Sequence, residues 1–328
     1  MAAFALDADR CQRLAPDILA VVEEGELAPP CDPGVAGLRA AHDRDAAALA
    51  GPGPEMASVT DAVLPGPYGP IPVRVHRPRS DAVLPVVAYF HGGGWAVGSI
   101  DSFDSVARRL AAASGAAVVS VGYRLAPEHP FPAPVEDCYA ALTWMGARTA
   151  ELGIDPARIG VAGSSAGGGL AAAVALMARD RGGPQLCVQY LNIPELDDRL
   201  DTPSMLAYDD TPIWNRPNAL FSWTSYLGAE PGGADVSAYA APARADDLSG
   251  LPRALVVTCQ FDPLRDEGLT YAQRLMQAGV NTELHHYPGT FHGSVVMDGT
   301  RVSRQMLADE VAALRRAFRM TEREAPGE

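Results

Sequence analysis

One seam constrains this chain more than any other feature. At residues 158–179 a short apolar run, RIGVA, passes through GSSAG into a long alanine-rich stretch that ends ALMAR. The first run has the length of a buried strand and the second the length of a buried helix, and the residues between them leave no room for a loop. The seam is therefore a βα unit, and the pattern repeats. From about residue 59, β-type runs at 59–64, 71–76, 85–90, 116–122, 158–162, 186–193, 253–259 and 282–287 alternate with helix-type runs at 102–113, 134–151, 166–179, 264–278 and 302–320. Such alternation predicts an α/β fold, an eight-stranded and mostly parallel sheet flanked by helices.

Two regions interrupt the alternation. Residues 1–52 look helical and end in the breaker cluster GPGPE, and 195–250 are rich in Asp, Pro and aromatics. The second is too long for a structureless loop in a compact domain. Both are expected to form a helical cap, with a helix near 217–227, leaving 53–194 and 251–328 as the two parts of the core.

Composition excludes several functions. A net charge of −14 with no basic run offers no surface for nucleic acid or anionic lipid. The first residues lack a basic segment followed by an apolar one, and no stretch approaches the roughly 20 apolar residues of a membrane span. A cytoplasmic protein is expected. Cys11, Cys31, Cys138, Cys187 and Cys259 form no CxxC pair and read as reduced structural thiols. With no HExxH motif and no facial His/carboxylate set, neither a metal nor another cofactor is indicated.

The serine at the seam carries the chemistry. A hydroxyl is a weak nucleophile unless its oxygen is thrust clear of the backbone and a base takes its proton. Gly163 and Gly167 flank Ser165 at minus two and plus two, which permits a sharp strand-to-helix turn; Ser164 lacks that flanking. Alone, the pattern also fits a serine that caps a helix. A second stretch, YFHGGGWAVGS at 89–99, puts three glycines after a buried strand. Glycines there let backbone amides of the loop approach a ligand, and with the Ala166 amide they would form an oxyanion hole. The loop lacks the spacing and the Lys-Ser/Thr of a phosphate loop. Downstream, Asp262 and His292 fall at C-terminal strand ends, where open α/β sheets assemble their sites.

Other candidates receive structural roles. Asp266 is a rival acid but reads as a helix cap or the partner of an arginine, and Asp197, Asp198 and Arg199 read as ion pairs. His285 and His286 lie within a strand, His129 in a Pro-rich loop, and His42 and His76 at surface positions, while His91 is expected to support the glycine loop.

With these residues assembled, residues from about 59 to 320 resemble the hormone-sensitive lipase family of α/β-hydrolases, the bacterial family IV carboxylesterases. The shared motifs are HGGGW at 91–95, YRLAPEHPFPAPVEDC at 123–138, GSSAGG at 163–168, DPLRDEG at 262–268 and FHG at 291–293. The resemblance implies an α/β-hydrolase fold with Ser165 as nucleophile, Asp262 as acid, His292 as base, and Gly93, Gly94 and Ala166 as oxyanion donors. It implies a cap over the site, short- to medium-chain carboxylic esters as substrates, and a homodimer formed through the last strand and helix. Ser164 stands where the family most often has Asp, and Ser294 where Phe is usual; neither is a reacting group. Trp95, Tyr208, Trp214, Phe221, Trp223 and Tyr226 are candidates for lining the substrate pocket. Deacetylation, amide hydrolysis or another natural-product modification at the same site, and a non-catalytic ligand receptor on the same fold, are the competing readings.

Overall fold

Eight strands form one sheet in the order β1-β2-β4-β3-β5-β6-β7-β8. The structure is a computed structural model, and it describes residues 35–40, 42, 51–296 and 300–319. β1 (Ser58–Gly66) and β2 (Gly69–Arg77) form a hairpin around Pro67 and Tyr68, at the outer edge of the sheet. β3 (Leu84–Phe90), β4 (Ala117–Val121), β5 (Ile154–Ser164), β6 (Val188–Asn192), β7 (Arg253–Phe261) and β8 (Thr282–Phe291) follow. The β1–β2 and β2–β4 pairings are antiparallel and all others are parallel. Every residue of β3, β4 and β6 is buried, which is why these segments read as continuous apolar runs without alternation.

Helices cover both faces. α1 (Asp104–Ser114) and α7 (Arg301–Ala317) enclose one core with Leu110, Met306, Leu314 and the sheet residues Val87, Leu255 and Val257. α2 (Ala133–Ala147), α3 (Ala166–Asp180) and α6 (Arg265–Gln277) enclose the other, with Leu142, Leu170, Tyr271 and Leu275 against Val86, Val161 and Val256. α3 is buried along 166–178, as an apolar helix with no polar face must be.

The structure refines several expected boundaries. β5 begins at Ile154 rather than 158: Ile154 pairs with Leu84, and a register shift between Leu84 and Val86 accommodates the partly or fully exposed residues 155–158. The helix expected over 134–151 closes at Ala147 and is followed by a separate turn, Thr149–Leu152. His76, expected at the surface, is fully buried, with Nε2 2.9 Å from Asp104 Oδ1, because α1 packs over β2. His42 is half-buried and stacks on Phe103.

Between β6 and β7 the insertion carries α4 (Pro203–Ala207) and α5 (Arg216–Leu227). α5 lies where the sequence places a helix: Asn215 Oδ1 accepts from the Asn218 amide at its start, and Gly228 ends it in the left-handed conformation. The acidic cluster forms ion pairs. Asp197 binds Arg199 at 2.6 Å, and the buried Asp198 binds Arg244 at 2.5 Å and accepts from the Gly232 amide. Most of the expected N-terminal cap segment lies outside the described residues. Within it, residues 35–40 are helical, and Arg39 donates to the carbonyls of Ala96 and Ala126 and pairs with Glu128. Cys138, Cys187 and Cys259 are free thiols; Cys11 and Cys31 lie outside the described residues.

Candidate active site

β5 ends where β3, β7 and β8 end, and the turn into α3 sets Ser165 at φ 58°, ψ −123°. A non-glycine residue at positive φ is strained, and here the neighbouring backbone holds it in place. The Ser165 amide donates to the Asn192 carbonyl, and the Ser165 carbonyl accepts from the amides of Gly169 and Glu195. The flanking glycines are demanded by close approach. A Cβ on Gly167 would stand 2.0 Å from the Phe90 carbonyl oxygen, and one on Gly163 2.1 Å from that of Gly167. The elbow therefore packs backbone against backbone.

Three distant points of the chain meet at this turn. Ser165 Oγ lies 3.0 Å from His292 Nε2, and His292 Nδ1 lies 2.8 Å from Asp262 Oδ2. All three side chains are buried. The other Asp262 oxygen accepts from the Leu264 amide at 2.9 Å, so the carboxylate is fixed from both sides. A base within reach of a hydroxyl, with a carboxylate holding its far nitrogen, is the arrangement that generates a serine nucleophile. Asp266 takes the structural role expected of it, accepting from the Ser204 amide and pairing with Arg265.

The glycine loop faces the same turn. Gly93 and Gly94 have φ of 114° and 55°, and the Gly93 carbonyl accepts from the amides of Ala96 and Val97. The loop's own turn thus uses the carbonyl of Gly93 and leaves its amide out of the backbone bonding among the described residues. Ala166 is the first residue of α3, where a backbone amide has no acceptor in its own helix. His91 underpins the loop: Nδ1 donates to the Gly92 carbonyl at 2.8 Å, and its ring stacks between Tyr123 and Phe103. Burial pushes its pKa down to about 4, so it remains neutral near pH 7. Tyr123, within the YRLAPEHPFPAP segment, donates to the His91 carbonyl at 2.8 Å.

The expected pocket residues separate into distinct environments. Trp95 and Trp223 are fully buried and pack with Tyr226 beneath the glycine loop, Trp95 lying 4.2 Å from Tyr226 between ring centroids. Trp214 stacks on His292. Tyr208 meets Phe261 edge-on and accepts from Arg265. Phe221 is exposed on an open groove with Pro127, Pro217 and Leu220, away from the hydrogen-bonded trio. Two departures from the common motifs are also placed. Ser164 is half-buried at the end of β5, and Ser294 is buried, accepting from the Phe291 amide and donating to the Phe291 carbonyl. Ser294 thereby closes the turn that carries His292.

Sequence reasoning missed Glu195. Its amide holds the Ser165 carbonyl, its side chain is fully buried beside Ser222 of α5, and burial raises its pKa well above the carboxylate range. Only its position three residues beyond the end of β6 could have drawn attention to it. Among the described residues, no group of three or more His, Cys, Asp or Glu side chains is arranged to hold a metal ion.

Residues 87–296 match the α/β-hydrolase fold family. Carboxylesterase NlhH of Mycobacterium tuberculosis is 48% identical over 236 residues, covering 69% of this chain and 71% of that protein. The chain belongs to the α/β-hydrolase family, in its hormone-sensitive lipase branch. Within this family, an arylesterase of Saccharolobus solfataricus is 38% identical over 252 residues, 76% of this chain and 80% of its own length. Among solved structures, a bacterial heroin esterase superposes with a TM-score of 0.89 at 45% identity, covering 94% of this chain and 99% of that one.

Proposed function

We propose that this protein is a serine carboxylesterase acting on short- to medium-chain carboxylic esters, with Ser165 as nucleophile, His292 as general base and Asp262 as its carboxylate partner. The observation that carries this reading is the unbroken path Ser165 Oγ–His292 Nε2, His292 Nδ1–Asp262 Oδ2, with distances of 3.0 and 2.8 Å. Esterase relatives with high coverage support it.

In the reaction, Ser165 Oγ bonds to the ester carbonyl carbon as its proton passes to His292 Nε2, and the carbonyl electron pair moves onto oxygen. The amides of Gly93, Gly94 and Ala166 would receive that oxyanion. Collapse expels the alcohol, which takes the proton from His292, and leaves an acyl-Ser165. Water then repeats the sequence, giving the acid and free serine. Asp262, accepting from Nδ1–H, holds His292 in the tautomer whose Nε2 is free to accept.

Trp214 and Tyr208 are assigned to the walls of the substrate site, with Trp95 and Trp223 packed behind them and Phe221 outside it on its open groove, and the insertion at 195–250 with the N-terminal segment serves as the cap. We place the protein in the cytoplasm, acting on a small-molecule ester with no nucleic acid or membrane partner. Among the described residues no helix is long and apolar enough to cross a membrane. A homodimer through β8 and α7 is supported by the position of β8 at the end of the sheet, where Leu284 is exposed.

The test is stoichiometric labelling with an alkyl fluorophosphonate, located by peptide mass spectrometry, together with a pre-steady-state burst on p-nitrophenyl butyrate. One label per chain on Ser165 and a burst are expected. No label, or a label on another serine, would overturn the assignment.

A further inference from the structure

Trp214 spans both halves of the site. Its indole lies over the His292 imidazole, with ring centroids 5.7 Å apart and planes 29° from parallel. At its outer edge, Cη2 is 2.7 Å from the point that a Cβ on Gly94 would occupy. The ring is carried by a strained arch. Ile213, a β-branched residue, has φ of 62°, and such strain persists only where the surroundings over-determine it. Here Thr211 Oγ1 donates to the Trp214 carbonyl at 2.6 Å, Asn218 Nδ2 donates to the Ile213 carbonyl at 3.2 Å, and Ile213 Cδ1 bears on Gly293 next to His292. The indole stacked on the base is thus carried next to a residue in the left-handed conformation that hydrogen bonds on both sides hold in place.

An aromatic face attracts a cation more strongly than a neutral ring. His292 is neutral before the reaction and becomes an imidazolium only as Ser165 gives up its proton, so a contact that favours the cation acts on the transition state. The surrounding charges leave room for this effect. Asp262 is the carboxylate bonded to His292, and burial pushes the pKa of the nearby Glu195 upward, toward its neutral form. Arg265, at the start of α6, is paired with Asp266.

We propose that Trp214 is a positioning residue for the hydrolysis, its indole face stabilising the His292 imidazolium that forms when Ser165 is deprotonated. The inference rests on the serine-esterase reading above. Site-specific replacement of Trp214 in the full chain by mono-, di- and trifluorotryptophan keeps the shape of the ring while draining negative charge from its face. Across that series kcat/KM for p-nitrophenyl butyrate is expected to fall about 2- to 30-fold, with the pKa of its acid limb falling in step. Trp214→Leu should lie at or beyond the end of the series while still taking the fluorophosphonate label. A rate and an acid limb that stay constant along the series overturn the proposal and leave Trp214 a wall. Absence of labelling in the parent enzyme, in contrast, overturns the esterase reading itself.

Discussion

Around Ser165 backbone packs against backbone, whereas in the insertion between β6 and β7 side chain packs against side chain. At the elbow, Gly163 and Gly167 exist because carbonyl oxygens occupy the places their side chains would need, and at Gly93 the Val97 carbonyl does the same at 2.3 Å. The insertion is held by the Trp95–Trp223–Tyr226 cluster and by the Asp198–Arg244 pair. The difference teaches where the molecule can change. A backbone-built site fixes its geometry and tolerates almost no substitution, while a side-chain-built roof can be repacked to alter which substrate it admits.

Substitutions of decreasing effect sharpen this contrast. Ser165→Ala is expected to lower kcat by about 10⁶-fold with little change in stability, since the elbow is held by its main chain. Steady-state assays beside urea unfolding would read both, and residual turnover within tenfold of the parent would contradict the division of roles. Asp198→Ala belongs to the other region, where removing one member of a buried pair costs about 3 kcal/mol or more of stability. Its kcat, measured well below the unfolding transition, should remain near that of the parent. Gly93→Ala returns to the backbone-built region. Its Cβ would meet the Val97 carbonyl, so the loop must shift and one oxyanion donor is lost, at a cost of about 10² to 10³ in kcat. If this variant keeps full activity, the glycine loop is not part of the site.

The smallest effect is a dependence on pH. The pKa of His91 is pushed down to about 4 by burial, so the folded protein binds fewer protons there than the unfolded chain. The stability that neutral His91 provides is complete above its ordinary pKa of about 6.5 and is lost as pH falls toward 4, with a slope of up to about 1.4 kcal/mol per pH unit. His91→Phe retains an aromatic ring between Tyr123 and Phe103 but cannot titrate. Its urea midpoint should therefore vary less across that window, and an equal slope in both proteins would place the acid sensitivity elsewhere.

Much of this was legible in the chain. β3, β4 and β6 were visible as apolar runs because they are buried along their whole length, while the more exposed β1 and β8 were visible from β-type residues between turn signals. The Ser165, Asp262 and His292 positions were legible because each follows directly on a strand that ends at the same edge. His76 was misjudged because its burial depends on α1 packing over β2, which no local pattern records, and Glu195 was missed because a lone glutamate after a strand carries no periodic signal. The aromatic residues were named as a group, yet their separation into Trp95 and Trp223 in the core, Phe221 on an open groove and Trp214 on His292 could not be read from their spacing.

Sequence alone determined the order of strands and helices, the turn that exposes Ser165, and the glycines that make room around it, because these depend on local backbone sterics and on the burial pattern of short segments. Tertiary structure decided which histidine meets the serine at 3.0 Å, which carboxyl has its pKa raised by burial, and which tryptophan lies against the base. Those outcomes depend on distances between residues far apart in the chain, and such distances exist only once the sheet has brought the strand ends together.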